Sequence, residues 1–517
     1  MLLEWIRVQR AQQGEKLFSA FVAQLQQKGL LASPEASERF VRVCAELAVN
    51  HTLSNEVQIR LPSADGRPAL AHLNFTTMDQ LVRLLALLIR HHGYGVPFLS
   101  IALHAVNMVL LRDHDERGPA FNSRPYFRFY LGLLAELSPA DDQVGAQFNT
   151  LCAFSLALTQ LQPMRAPAFA FAWLELVSSR YFLPKLLMVP QGRGQPYFYR
   201  LLMGALRFLE PFLRNTELTE PIRLLYKGVL RILLVLLHDF PAFLFEHHHQ
   251  LCDAVPPSCI QMRNLVLAAL PRHHKKLPDP LSQQFKVDEI PGIFEAPRLS
   301  LDPEQAVPKP LLEIVAGFLR ARQAQAVPEI RARLLLSSQE SLQLGTRYSA
   351  PSINGLVLYL GHVATQGLAA LPPATAAEQL SSGAPSELLQ RLCAELDTEG
   401  RYLLLNAMAN QLRYPNAHTF FHVTMMLVLY ETSKADIVRE QITRVVIERI
   451  IANRPHPWGL LIAFVELSRN QKFNFFGQPF ARASPDVERT LAHLAGVVNS
   501  NPAAGGAPPM GGPVLAK

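Results

Sequence analysis

Leu396-Asp-Thr-Glu-Gly-Arg-Tyr-Leu-Leu-Leu-Asn-Ala-Met-Ala-Asn-Gln-Leu-Arg-Tyr-Pro-Asn-Ala-His-Thr-Phe420, followed downstream by Asn453-Arg-Pro-His-Pro-Trp-Gly459, decides the fold. The stretch reads as helix, turn and helix, with apolar residues spaced for helix packing. Its polar residues include no nucleophile–base pair and no set of metal ligands. That combination points to a surface for partners rather than to a catalytic pocket.

Outward from there the helical period recurs. Leu81, Leu84, Leu85 and Leu88 follow the i, i+3, i+4, i+7 pattern, and Thr76 to Asp79 just ahead has the spacing of a capping signal. Val438, Ile442, Val445, Val446 and Ile450 form a second stripe, with Glu440, Arg444 and Glu448 on the opposite face. Ser258 with Gln261 resembles a capping box, closed later by Pro271. Ser484, Pro485, Asp486 and Glu488 supply cap, first-turn proline and first-turn acids for a last helix. Alternating β patterns are scarce, so the chain is predicted to be all-α. Helices joined mostly by short turns do not suit a single bundle. Stacked hairpins, each burying its apolar face on the next, form a HEAT-like α-solenoid.

Breaks fall where proline, glycine and small polar residues cluster. Residues 51–71 read as a long loop and 371–386 as a mobile one. The proline-rich stretch around 281–308 marks the predicted boundary between an N-terminal solenoid part (1–280) and a C-terminal part (309–498). Residues 499–517, rich in Gly, Pro and Ala, read as a disordered tail.

At 517 residues the chain exceeds one compact core, and 49% hydrophobic against 18% charged residues leaves ample apolar surface to bury. The net charge of +7 permits contact with RNA or acidic proteins without demanding either. Five scattered cysteines are no disulfide framework and suit a reducing compartment. The N-terminus lacks a secretory pattern, and the apolar run Val229 to Leu237 is far shorter than the ~20 residues that span a bilayer. A soluble, intracellular protein is expected.

Candidate chemistry is thin. His247-His-His249 with Cys252 and Cys259 lacks the paired spacing of a zinc site, and reads as exposed histidines beside buried thiols. The basic run Arg272-His-His-Lys-Lys276 has the charge of a phosphate-contacting patch but no aromatic residues beside it for base stacking. Asp113-His-Asp115 and Asp141-Asp142 are acids at helix ends, where capping or solvation is their ordinary role. No Walker-type loop, G-x-S-x-G, H-E-x-x-H or paired C-x-x-C occurs. No catalytic residue, metal ligand or cofactor is assigned, and no enzyme activity is expected.

The opening blocks, together with Leu213-Arg-Asn-Thr-Glu-Leu218, Leu225-Tyr-Lys-Gly-Val-Leu-Arg231, Pro256-Pro-Ser-Cys-Ile-Gln-Met-Arg-Asn-Leu265 and Glu440-Gln-Ile-Thr-Arg444, closely resemble the C-terminal domain of the large NOT scaffold subunit of the eukaryotic Ccr–Not mRNA deadenylase complex. The likeness runs from about Leu2 to about Val498. It implies a two-part HEAT-like solenoid without enzymatic activity. In that family the domain docks the heterodimer of the two smaller NOT-box subunits and short linear motifs of RNA-binding repressors. Target mRNAs are thereby brought to deadenylation, decay and translational repression. The resemblance implies a cytoplasmic place, P-bodies included, and a nuclear one. In the family the nucleases attach to scaffold regions upstream of this domain.

The matched blocks are dense in Arg, Asn, Tyr and His, which nominates Arg401, Tyr402, Asn406, Asn410, Arg413, Tyr414, Asn416, His418, Phe421, Arg454, His456 and Trp458 as a docking face. An equally open reading is that Arg413, Asn416, Arg454 and Trp458 only stabilise turns between helices. The alternative function is a direct RNA-binding α-solenoid, motivated by the positive charge and Arg272–Lys276.

Overall fold

The structure, a computed structural model, describes residues 4–5, 14–54, 57–58, 71–91, 95–138, 147–215, 217–272, 277–278, 287, 290–370, 372–433, 435–482 and 484–499. The chain divides into two compact units, Met1–Ile232 and Leu233–Lys517.

The first unit holds α1 (Gly14–Gln27), α2 (Pro34–Ser54), α3 (Thr76–His91), α4 (Gly95–Arg117), α5 (Arg124–Leu137), α6 (Phe148–Gln160), α7 (Ala170–Ser178), α8 (Leu183–Leu187) and α9 (Gln195–Leu213). Alternate helices lie side by side. In one layer α2 packs on α4, α4 on α6 and α6 on α9, and in the other α3 packs on α5 and α5 on α7. This is the hairpin stack of a HEAT-like solenoid, since each helix has an apolar stripe that only its neighbours can cover. Leu81, Leu84, Leu85 and Leu88 of α3 are all buried, as their spacing predicts. Helix α4 is long and apolar enough, by length and composition, to cross a membrane. Here it is a core helix, with buried Asn107 donating to Ala157 O (3.0 Å) and Gln160 Oε1 (2.8 Å) and accepting from Tyr130. The 51–71 segment is not all loop. Helix α2 continues through Ser54 with Thr52 buried, and Val57–Gln58 pairs antiparallel with Ala71–His72. Residues 59–70 lie outside the described ones.

Helix α10 (Glu220–Asp239) runs across the division. The second unit then holds α11 (Pro241–Glu246), α12 (His248–Asp253), α13 (Ile260–Leu267), α14 (Lys309–Ala321), α15 (Ala326–Leu334), α16 (Ser338–Leu344) and α17 (Ala350–Thr365). It continues with α18 (Pro373–Ser382), α19 (Ala384–Glu395), α20 (Thr398–Ala409), α21 (Ala417–Thr432), α22 (Asp436–Ile450), α23 (Trp458–Arg469) and α24 (Pro485–Asn499). Helix α17 is central, packing on α12, α19, α20, α21 and the Pro303–Ala306 turn. Its approach to that turn depends on Gly355, where an added Cβ would sit 2.1 Å from the Ala306 carbonyl oxygen. One continuous apolar core extends from Ile290 to Leu491.

Three expectations need correction. The division falls within α10, not at 281–308, because residues 290–308 of the proline-rich segment form a strap packed within the second unit. Ile290, Ile293 and Val307 are buried in that core, Glu295 O accepts from Ala417 N (2.8 Å), and Ser300 N donates to Glu246 O (2.9 Å). Proline forbids helix there, and in sequence that looks the same as a linker. Residues 371–386, read as a loop, belong largely to α18 and α19. Pro373 and Pro385 sit in their first turns, where a missing N–H costs nothing, and Ala376, Leu380 and Leu388 are buried. The Ser258–Gln261 box does not form, since the cap position is Cys259 and Gln261 Nε2 donates to Asn453 O (3.0 Å). The cap at Ser484 does form, its Oγ accepting from Val487 N (3.3 Å). The α22 stripe is likewise as predicted, with Val438, Ile442, Val445 and Val446 buried and Ile450 half-buried. Residues 500–517 lie outside the described ones.

Two glycines test this packing. Gly355→Ala in the full chain should lower the thermal midpoint by several degrees, because backbone must move to admit the methyl. Gly317→Ala in α14, with open space around its Cβ position, should raise stability by about 0.5–1 kcal/mol. Equal effects at the two positions would contradict the α17 packing described.

Candidate functional site

The Arg413-Tyr-Pro-Asn416 turn ties α20, α21 and α23 into one knot. Asn416 caps α21, its side chain accepting from Thr419 N (3.1 Å) and donating to Tyr414 O (2.6 Å). The Thr419 hydroxyl reaches Gln411 O and Tyr414 O, each at 2.9 Å. Gly459, at the start of α23, donates its N–H to Arg413 O (2.7 Å). A Cβ at Gly459 would meet Thr419 Cγ2 at 2.5 Å, so the Trp458-Gly459 pair is required by a close backbone approach.

Around the knot lie arginines buried without a carboxylate. The Arg413 guanidinium donates to Phe245 O (3.0 Å) at the end of α11 and lies 5.3 Å from the Tyr414 ring centroid. Arg449 donates to Asn406 O (3.1 Å), Asn410 Oδ1 (2.7 Å) and Ala409 O (3.5 Å), closing the end of α20. Arg401 does the same for α19, through Cys393 O and Leu396 O at 2.6 Å each, and also binds Gln441 Oε1 (3.1 Å). Arg263 holds the carbonyls of Val255 and Pro256. Burial brings Arg413 and Arg449 down to about 10, so both stay cationic at neutral pH. The C-terminal carbonyls of helices supply the negative potential that an acid would otherwise provide.

The histidines are the reverse of the exposed set expected. His247, His248 and His249 are all buried, because the chain breaks at His247 between two short helices and turns all three inward. His247 and His248 place Nδ1 at 3.0 and 3.2 Å from the carbonyls of Phe243 and Phe245, and His249 faces Asp253 at 3.4 Å. Cys252 is buried as expected, whereas Cys259 is half-buried. Burial first, and the Arg413 charge after it, hold His248 and His418 well below the ordinary 6.5 and bring His422 to about 3. These rings are neutral. Among the described residues, no group of three or more His, Cys, Asp or Glu is placed to hold a metal ion.

Nine of the twelve nominated residues therefore face inward. Arg401, Asn406, Asn410, Arg413, Tyr414, Asn416, His418, Phe421 and Trp458 are buried, and as direct docking contacts they are corrected: a side chain inside the unit cannot touch a partner. Tyr402 and His456 are half-buried and Arg454 is exposed. Beside Tyr402 lies the outer face of α22, which the sequence places opposite the apolar stripe without nominating it for docking. There Arg444 lies 5.2 Å from the Tyr402 ring centroid, Glu448 accepts from the Tyr402 hydroxyl (2.7 Å), and Ile451 is 60% exposed. An exposed isoleucine beside a helix end was the available signal. Asp113 serves Arg117 and Tyr126, and Asp115 pairs with His114. Arg272 donates to Asp239 O (3.1 Å), while 273–276 and Asp141-Asp142 lie outside the described residues.

A helical stack whose buried polar groups serve helix ends defines an α-solenoid. Residues 134–495 match the family described as CCR4-Not complex component, Not1. The chain is 37% identical to a CCR4-NOT transcription complex subunit of Caenorhabditis elegans (let-711), over 96% of this chain and 19% of the relative. It is 32% identical to general negative regulator of transcription subunit 1 of Schizosaccharomyces pombe, over 96% of this chain and 23% of that one. The chain thus spans about a fifth of the length of these curated relatives. Among solved structures, the NOT1 superfamily homology domain of Chaetomium thermophilum superposes with a TM-score of 0.83 at 28% identity, covering 96% of each chain. A Not1 C-terminal domain solved in complex with Not4 superposes at 0.77 and 24% identity, covering 94% of this chain and 98% of that one. The chain belongs to the Not1 family of CCR4–Not complex components. It corresponds to one part of such a subunit.

Arg449→Met should cost about 3 kcal/mol in urea unfolding, because the carbonyls of Asn406 and Ala409 lose their buried donor. Arg444→Met, which loses an exposed pair with Glu448 and the cation contact with the Tyr402 ring, should change stability by less than about 1 kcal/mol. Stability should also depend on acid. Below 6.5 the unfolded histidines bind protons that folded His248, His418 and His422 refuse. Stability is therefore full above about pH 6.5 and falls as pH drops, by roughly 1.4 kcal/mol per unit for each such histidine. Urea midpoints at about pH 7.5 and 5.5 check this, and a flat response would refute it.

Proposed function

We propose that the chain is a docking domain of a Ccr–Not scaffold. It captures the heterodimer of NOT-box subunits and short linear motifs of RNA-binding repressors. Bound mRNAs are thereby brought to deadenylation, decay and translational repression, in the cytoplasm with its P-bodies and in the nucleus. Membership in the Not1 family is the observation that carries this reading. The similar Not1 C-terminal domain solved with Not4 supports a partner-binding role for this fold.

The docking face proposed is Tyr402, Arg444, Glu448, Ile451, Arg454 and His456. Tyr402 is fixed between a guanidinium and a carboxylate, so it offers an aromatic anchor at small entropic cost. Ile451 and Arg454 continue the same face beyond the end of α22. A stable heterodimer needs ~1,600 Å² of total buried surface, and this patch would be its centre.

Ile451→Asp combined with Arg454→Glu should abolish co-purification of the NOT-box pair with the full chain and leave the thermal melt unchanged. Retained capture would remove this patch from the interface. Absence of capture by the unsubstituted chain would remove the proposed function itself.

A further inference from the structure

The chain's positive charge is not evenly spread. Residues 151–232 hold ten Lys and Arg against four Asp and Glu, within a total net charge of +7. Inside that segment Arg193, Arg200, Arg207 and Arg214 recur at every seventh position. Helix α9 puts Arg200 and Arg207 on one face, because seven residues make nearly two full turns, with Arg193 just before its start and Arg214 at its C-cap. All four arginines are exposed, and Arg200 to Arg214 spans ~21 Å along the axis. Arg214 is paired with Glu210 at 2.6 Å. Arg200 and Arg207 have no carboxylate partner among the described residues.

Aromatic rings adjoin the first of these arginines. The Arg193 guanidinium lies 4.4 Å from the Phe148 ring centroid, and Phe148 meets Tyr197 edge-on at 5.9 Å. Tyr197 and Phe148 are half-buried. Cations flanked by aromatic rings are what a single strand of nucleic acid requires: phosphates meet the guanidinium groups and bases stack on the rings. An acidic peptide would use the charges and leave the rings without a role.

We infer that the exposed face of α9 is a binding surface for single-stranded RNA. It contacts the backbone through Arg200 and Arg207 and stacks bases against Tyr197 and the Arg193–Phe148 pair. This site shares no residue with the face proposed for subunit docking. It also differs from the Arg272–Lys276 run, which has no Phe, Tyr or Trp beside it in sequence.

The test is fluorescence anisotropy of the full chain with a labelled oligouridine of about 20 nucleotides across a salt series. Binding should weaken steeply with salt. Arg200→Glu with Arg207→Glu should reduce affinity by about tenfold or more and flatten the logarithmic salt slope by ~1.4. Both side chains are exposed, so the thermal melt should not move, and NOT-box capture should persist. Tyr197→Ala should weaken RNA without changing the salt slope. Undiminished RNA affinity in the doubly substituted chain would overturn the proposal. So would equal competition, charge for charge, by inorganic polyphosphate or polyglutamate, since either would leave stacking without effect.

Discussion

A stack of short helices creates many helix ends, and each end leaves carbonyl oxygens that no backbone donor reaches. How those oxygens are satisfied is the constraint on which the second unit depends. Arginine answers it repeatedly. Arg401 closes α19, Arg449 closes α20, Arg413 closes α11, and Arg439 closes α21 through Tyr430 O (3.3 Å) and Ser433 O (2.9 Å). In the first unit uncharged donors take the same part: Trp173 Nε1 reaches Leu158 O (2.7 Å) and Asn107 reaches Ala157 O, both near the end of α6. A buried guanidinium without a carboxylate would ordinarily be costly. At Arg401 and Arg449 two carbonyls of a helix C-terminus offset that cost, since the partial negative charge there is fixed and already desolvated. Arg413 reaches one carbonyl and leaves Nε and Nη2 without a hydrogen-bond partner.

This arrangement explains both the density of polar residues in the Leu396–Phe420 block and its lack of chemistry. Its arginines are held by main-chain carbonyls, and its one histidine, His418, is kept neutral by burial beside Arg413, as is His422 just beyond it. None is free to exchange protons near neutral pH with a bound molecule. The residues act by fixing the turn from α20 into α21 and the seat of α23. The side chains left wholly or partly at the surface around them include Tyr402, Arg444, Ile451 and Arg454.

The first unit makes the complementary point. Its helices are paired by apolar stripes, and its surplus charge is gathered on exposed faces in the segment 151–232. A stacked-hairpin fold allows this, because each helix needs only one stripe for its neighbours and leaves the other open for function. Arg200 and Arg207 are therefore placed by the geometry of α9 at little cost to stability.

The helical character, the stripes of α3 and α22 and the cap at Ser484 were legible in the sequence, because they are local: a period of 3.6 and a capping hydroxyl act within a few residues. The domain boundary was not, since proline in a linker and proline in a packed strap impose the same φ, and only the burial of Ile290 and Ile293 separates them. Nor could the sequence tell an arginine facing a partner from one closing a helix end. Arg413 and Arg454 stand in similar words, yet one is fully buried and the other exposed. Exposure depends on which helices return to cover a position, and that is decided by contacts more than a hundred residues apart in the chain, such as Arg413 with Phe245.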